Sequence, residues 1–347
     1  MNRDTLGLVE SPAQLLHLIE WCYDEGTADR TRAVVLAPTQ ASAISQLRAL
    51  SDLAAEEGIS MVWAEPRRSP LAFAASVRRL WSEVGAARRL VLGDPFSGLI
   101  QTVLPAAKAQ QIVVVDDGTA TMEFAAQYTA SGPLRRWNSR PSAMDVPRTL
   151  LGQRARRVLN GGALRLFTVM PVTGLPQSRL QHNHYNWLRG RFGTPRMFTG
   201  VDVVGSSLVE TGVADRGAYL KRVAELADSF GRPGRYFAHR REHPDKLTEL
   251  ARISGLDVVR PQLPIEVELR RGPVAQRVVS FPSSVGYTLP VVLSGLPVRY
   301  QFEPVPEEML GAEVSERARD FLSKMTADLR YSARLWAPDS NALSASA

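Results

Sequence analysis

Residues 111–121 read Q-I-V-V-V-D-D-G-T-A-T, an apolar run ending in three valines, then two aspartates and a glycine. A short β-branched run without polar alternation is the pattern of a strand buried on both faces, and such strands belong to parallel sheets covered by helices on both sides. The acids and the glycine fall where this strand must end. In open parallel sheets that carboxyl edge is where ligands bind, so the stretch points to a fold and to a place for chemistry.

Working outward, the same punctuation recurs. Apolar runs at 5–10, 33–37, 60–63, 90–92 and 111–115 alternate with helix-length amphipathic stretches near 12–23, 40–57, 70–83 and 97–109. A second set follows, with strands at 201–204, 235–238, 256–259, 278–281 and 298–302 and helices near 215–230, 244–254, 264–271, 284–294 and 312–330. Repeated βα alternation predicts an α/β chain of two doubly wound domains. The boundaries read as 1–198, 199–335 with its last helix packing back on the first domain, and a mobile tail over 336–347. Between the sets, 131–200 is rich in Gly, Pro, Arg and aromatics, and only a strand at 164–170 is legible in it.

With 347 residues, 44% hydrophobic and 22% charged, the chain can bury full-sized cores and is neither disordered nor fibrous. No run approaches a membrane span, and the opening MNRDTLGLVE lacks the apolar core of a signal peptide, so the expected location is the cytoplasm. The single cysteine, Cys22, excludes an intramolecular disulfide and reads as a buried small hydrophobe. The net charge of +7 is local: residues 1–130 carry 11 Lys and Arg against 15 acids, 131–200 carry 12 against 1, and 201–347 carry 19 against 19. The basic excess therefore belongs to one segment.

Four strand ends hold the candidate residues. After the first strand, Ser11 precedes Pro12 as a helix cap, and Ser11 and Gln14 with free backbone N–H groups suit an anionic ligand. At 116–119, adjacent carboxylates of Asp116 and Asp117 repel, which raises the proton affinity of one and suits it to general-base work. Gly118 permits a positive φ or close approach by a ligand, and Thr119 follows it. At 236–244, His239 directly follows an apolar run and Arg240 beside it can hold an anion, whereas His243 precedes Pro244 in the loop opening the next helix. At 280–286, Ser283 and Ser284 reach a helix start suited to phosphate, and Glu266 opens the preceding helix where it can accept from ribose hydroxyls. Each has a plain structural alternative: an N-cap, a solvated turn or a surface histidine.

Together, LVESPAQLL at 8–16, GDPFSGL at 93–99, IVVVDDGTAT at 112–121, YFAHRRE at 236–242, PIE at 264–266 and SFPSSVG at 280–286 resemble the bacterial sialyltransferases related to polysialyltransferases and lipooligosaccharide sialyltransferases. The resemblance covers most of the chain, and the Asp-Asp-Gly motif is its most specific part. It implies two facing Rossmann-like domains of the glycosyltransferase B type, and inverting transfer of sialic acid from CMP-sialic acid to an anionic glycan or glycolipid without metal or other cofactor. Asp116 or Asp117 would be the general base and His239 would face the donor phosphate. Gly118, Arg240, Ser283 and Ser284 would complete the donor site with Glu266 at the ribose, and Ser11, Gln14 and Thr119 would meet substrate. One departure is that the family's His-Pro reads His239-Arg240 here, with the literal His243-Pro244 four residues later. The basic segment 131–200 would attract an anionic acceptor, or rest on an anionic membrane at its inner face. The competing readings are transfer of another CMP-activated acid sugar, such as 3-deoxy-octulosonic acid, and an inactive relative. A further rival is a polyanion binder using Trp137, Tyr185, Trp187 and nearby arginines; no nucleic-acid module is legible.

Overall fold

A computed structural model describes residues 4–130, 132–136, 145–161, 163–230 and 233–336. Trp137 and the tail over 337–347 lie outside the described residues. The chain divides into two compact units, Met1–Trp187 and Leu188–Ala347.

The first unit runs β1 (Thr5–Val9), α1 (Pro12–Asp24), β2 (Thr31–Leu36), α2 (Ala41–Glu56), β3 (Ser60–Ala64), α3 (Pro70–Ala86), β4 (Arg89–Leu92), α4 (Gly98–Val103), β5 (Gln111–Val115), α5 (Thr119–Thr129), α6 (Asp145–Gly161), β6 (Ala163–Thr168) and β7 (Leu180–His182). Its seven strands pair in parallel in the order β3-β2-β1-β4-β5-β6-β7. The order reverses between β1 and β4, where successive crossovers leave in opposite directions and open a crevice beyond the strand ends. Alternate residues Leu6, Leu8, Val34, Leu90, Leu92, Ile112 and Val114 turn to one face and pack against Leu80, Ile100, Phe124 and Leu159 from the helices. Each such side chain, buried in full, contributes about 1.5–3 kcal/mol.

After α7 (Asn186–Phe192), the second unit runs β8 (Met197–Val204), α8 (Arg216–Phe230), β9 (Gly234–Phe237), α9 (Pro244–Ser254), β10 (Asp257–Val259), α10 (Ile265–Arg271), β11 (Val274–Ser280), α11 (Val285–Val292), β12 (Arg299–Phe302) and α12 (Glu316–Trp336). Its five parallel strands lie in the order β10-β9-β8-β11-β12, so the reversal falls between β8 and β11. Asp202 on β8, fully buried, accepts two bonds from Arg235 on β9 at 2.8 Å each and one from the Ala275 N–H at 2.8 Å, tying the three central strands together.

The division falls inside α7, earlier than the reading from sequence, because Tyr185 and Trp187 are anchored in the first unit. The Tyr185 hydroxyl lies 2.8 Å from His17 Nε2, and the Trp187 N–H donates to Glu20 at 2.9 Å. Within the second unit, α12 seats Leu329 at Gly286, and its Asp328 accepts from the Tyr287 hydroxyl at 2.7 Å. The basic segment is not one surface. Arg156 donates to the carbonyls of Gln127, Tyr128 and Gly132, Arg179 donates to the Tyr128 hydroxyl, and Arg154 and Arg157 are exposed on α6. Cys22 is buried.

Candidate functional site

In the first unit the strand ends nearest the reversal gather acids. Ser11 caps α1, its Oγ accepting from the Gln14 N–H at 3.3 Å, and the same hydroxyl donates to Asp117 Oδ1 at 3.2 Å. Gln14 is buried, and its side-chain oxygen accepts from the Glu10 N–H at 2.7 Å, so it serves the turn rather than an open surface. Gly93 makes room for it, since a Cβ there would stand 2.2 Å from that oxygen. Gly118 adopts φ +62°, a left-handed conformation suited to glycine, and turns β5 into α5 at Thr119.

The paired aspartates have different surroundings. Asp116 is 0% exposed, with Oδ1 accepting from Thr168 Oγ1 at 2.5 Å and Oδ2 from the Val169 N–H at 2.8 Å. Burial pushes its proton affinity up, with His17 and these donors opposing the rise. Its carbonyl accepts from His17 Nδ1 at 2.8 Å, and His17 Nε2 lies 2.8 Å from the Tyr185 hydroxyl. Asp116 thus ties β5 to β6 and α1. Asp117 is the partly exposed carboxylate, its side chain 20% accessible, and Arg136 stands 3.4 Å from its Oδ2.

Sequence reasoning singled out Ser11 beside Asp117 but not the charged residues around it. Arg136 also pairs with Asp94 at 2.8 Å and lies over the Phe96 ring. Burial pushes the Asp94 carboxyl up to about 6, the charge of Asp117 adding to the rise and Arg136 opposing it. Glu10 accepts from Ser97 Oγ at 2.5 Å and pairs with Arg67 at 2.5 Å. Asp94 and Ser97 stand in the GDPFSGL stretch, where a Gly-Asp-Pro turn after an apolar run was a usable signal; Arg136 lay in the segment whose elements were illegible.

In the second unit His239 follows β9 on a loop held from below. Its backbone N–H donates to Glu242 Oε2 at 2.6 Å, and its Nδ1 accepts from the Arg241 N–H at 3.2 Å. The proton of the neutral ring is therefore on Nε2. Burial, then the charges of Arg240, Arg241 and Lys246, hold the imidazole down to about 3, so it is neutral at physiological pH. Arg240 is half-buried beside it. His243 is exposed at the cap of α9, its ring 3.4 Å from Asp245.

Beneath His239 lies a buried polar chain. The Ser206 N–H reaches the Tyr219 hydroxyl at 3.3 Å, which lies 2.8 Å from the Tyr236 hydroxyl, and Tyr236 donates to Glu242 Oε1 at 2.7 Å. Lys246, 1% exposed, sits 2.8 Å from Glu242 and 2.9 Å from Glu210. Burial raises the affinity of both tyrosines for their protons, which keeps them donors. Two residues past the apolar run of β8, Ser206 joins that run to this chain, and a Cβ on Gly205 would stand 2.5 Å from Glu242.

Across the reversal, Ser284 occupies the cap position of α11 without a side-chain capping bond, and both Ser283 and Ser284 are half-buried. Glu266 opens α10 and accepts from Thr288 Oγ1 on α11 at 2.7 Å, which brings the two helix starts together. The structure thus joins Ser11, Asp116, Asp117, Gly118 and Thr119 in one cluster, and Glu266 with the Ser283–Ser284 turn in another. Among the described residues no group of three or more His, Cys, Asp or Glu side chains is placed to hold a metal ion.

No family model and no curated protein matches the chain. Solved structures do. An α/β-galactoside α-2,3-sialyltransferase from Photobacterium phosphoreum superposes with a TM-score of 0.52 at 9% identity, over 94% of this chain and 95% of that one. A protein described as a UDP-N-acetylglucosamine 2-epimerase from Listeria monocytogenes superposes with a TM-score of 0.51 at 10% identity, over 95% of this chain and 88% of that one. The fold is α/β, two Rossmann-like units of the glycosyltransferase B type.

Proposed function

We propose that this chain is an inverting glycosyltransferase that moves sialic acid from CMP-sialic acid to an anionic glycan or glycolipid. The observation that carries the reading is the asymmetry of the Asp116–Asp117 pair: one carboxylate is consumed in the fold, and its neighbour is left accessible at the carboxyl edge of the sheet. The likeness of fold to a protein described as a sialyltransferase is consistent with it.

In this reading Asp117 takes the proton of the acceptor hydroxyl as that oxygen bonds to the anomeric carbon, and the bond from that carbon to the CMP phosphate oxygen breaks. The electron pair leaves with CMP. Ser11 and Arg136 hold Asp117 in place. The second unit supplies donors for the departing phosphate: the Nε2–H of a neutral His239, the Ser283 and Ser284 hydroxyls, and the N–H groups at the start of α11. Arg240 adds charge, and Glu266, steadied by Thr288, takes the ribose hydroxyls.

The test is CMP release with a panel of glycan acceptors, offering CMP-sialic acid, CMP-3-deoxy-octulosonic acid and UDP-N-acetylglucosamine in parallel. Release from CMP-sialic acid that is lost in Asp117→Asn and in His239→Ala, and retained in His243→Ala, is the expected result. Turnover of only the 3-deoxy-octulosonic donor would move the assignment to that sugar. Turnover of only the UDP donor, or of none, would overturn it.

A further inference from the structure

Right-handed crossovers place α1 and α2 on one face of the first sheet, and α3, α4 and α6 side by side on the other. The two layers differ in what they show to solvent. The α1–α2 layer exposes Asp24, Glu25, Asp52 and Glu56. The opposite layer exposes large apolar side chains: Leu71 at 83%, Phe73 at 39% and Trp81 at 47% on α3, with Val146 at 71% and Leu150 at 52% on α6. Of the seventeen residues of α3 only Leu80 and Val84 are buried. On α3 and α6 stand the exposed bases Arg78, Arg79, Arg154 and Arg157, with exposed Lys108 in the loop entering β5. The one acid with a described side chain on the three helices, Glu83, is half-buried and engaged by Arg32 and Arg79.

We propose that the α3–α4–α6 layer is a docking face for an anionic lipid bilayer, lying in the headgroup plane. Leu71, Trp81, Val146 and Leu150 would enter the boundary between headgroups and acyl chains, and the arginines and Lys108 would meet lipid phosphates. Exposed apolar residues interleaved with bases are the composition of such an interfacial surface, and the acids beside α3, Glu65 and Glu83, are paired with Arg68 and with Arg32 and Arg79. Charge complementarity favours this occupant over a second copy of the chain, since a twofold contact through this layer would set two basic faces against each other. Among the described residues no helix is long and apolar enough to cross a membrane, so the contact is peripheral. The proposal goes beyond the catalytic reading and does not depend on the donor.

The experiment is co-sedimentation of the full chain with vesicles of phosphatidylcholine alone or mixed with phosphatidylglycerol, at low and high salt. The protein is expected to pellet with the mixed vesicles and to be released by salt. Arg78→Gln and Arg157→Gln should each weaken partitioning by about fivefold. Leu71→Asp combined with Leu150→Asp should abolish it while circular dichroism and the melting temperature stay unchanged, because both side chains are exposed. Mixed vesicles should shift the tryptophan emission to the blue, and the shift should shrink in Trp81→Phe. A wild type that stays in the supernatant would overturn the proposal, as would binding indifferent to all four substitutions. A dimer seen by sedimentation velocity that Leu71→Asp disperses would assign the layer to a second copy instead.

Discussion

The carboxyl edges of the two sheets are built on opposite plans. In the first unit the charged groups form the edge itself: Glu10 and Asp94 are largely covered, Asp117 is partly accessible, and Arg67 and Arg136 balance them. In the second unit the paired charges are underneath, with Lys246 between Glu210 and Glu242, and above them stand a neutral imidazole flanked by Arg240 and Arg241, hydroxyls and helix-start N–H groups. The contrast separates two tasks. An edge that must accept a proton keeps a carboxylate within reach, and an edge that must receive a leaving phosphate presents donors fixed in advance, because an oriented dipole stabilises developing charge without having to reorganise.

The largest effect should come from removing the accessible acid. Asp117→Asn is expected to lower CMP release by about 10²–10⁴-fold with the fold intact, which is the range of a positioned general base. Loss of activity in Asp116→Asn alone, with Asp117→Asn active, would exchange the roles given to the pair.

Next in size is the buried charge of the second unit. Lys246→Met leaves Glu210 and Glu242 facing each other and should cost about 3–5 kcal/mol in chemical denaturation, the range for breaking a buried pair. Surface pairs such as Arg216–Glu249 should give about 0–1 kcal/mol. Equal losses from both would mean that the second unit is no differently anchored from its surface. Asp116→Asn, which turns a nitrogen toward the donors of Thr168 and Val169, is expected to cost about 1–3 kcal/mol.

Acid titration distinguishes the edges by sign. His239 is held down to about 3 in the folded chain against 6.5 in its ordinary state, so between these two values the unfolded chain binds a proton the folded chain refuses. Its contribution to stability is therefore complete above pH 6.5 and is lost as pH falls toward 3. His239→Asn should flatten that part of the stability profile. Asp94, pushed up to about 6, works the other way: the folded chain holds a proton that the unfolded chain releases, and stability declines as pH rises from 3.8 to 6.

The smallest difference concerns two serines at helix starts. Ser11→Ala removes a capping bond and should cost about 1 kcal/mol. Ser284→Ala removes none and should change stability by less than about 0.5 kcal/mol while weakening CMP binding, readable by calorimetry.

The parts legible in the sequence are those where local pattern and tertiary role coincide. Apolar β-branched runs located the strands, and the groups following 9, 115, 238 and 281 stand at carboxyl edges as expected of βα units. The remainder was hidden for identifiable reasons. α5 mixes threonines, alanines and aromatics without an amphipathic stripe, and the strand expected at 164–170 is β6, followed by the three residues of β7. Lys246 precedes Leu247 and faces inward with Leu250 and Ser254, yet a lysine in a helix reads as exposed unless its partners are known, and Glu210 is 36 residues away. The choice between Asp116 and Asp117 needed Thr168 and Val169, supplied by a strand more than fifty residues downstream.

The polar chain under His239 also constrains descent. Ser206, Glu210, Tyr219, Tyr236, Glu242 and Lys246 satisfy one another, so replacing any single member strands a buried donor or charge, whereas a concerted change need not. Such positions drift together or not at all. Where overall identity has fallen to about a tenth, as with the structures of like fold, correlated change at these six positions would identify true relatives of this chain more reliably than the short motifs at its strand ends.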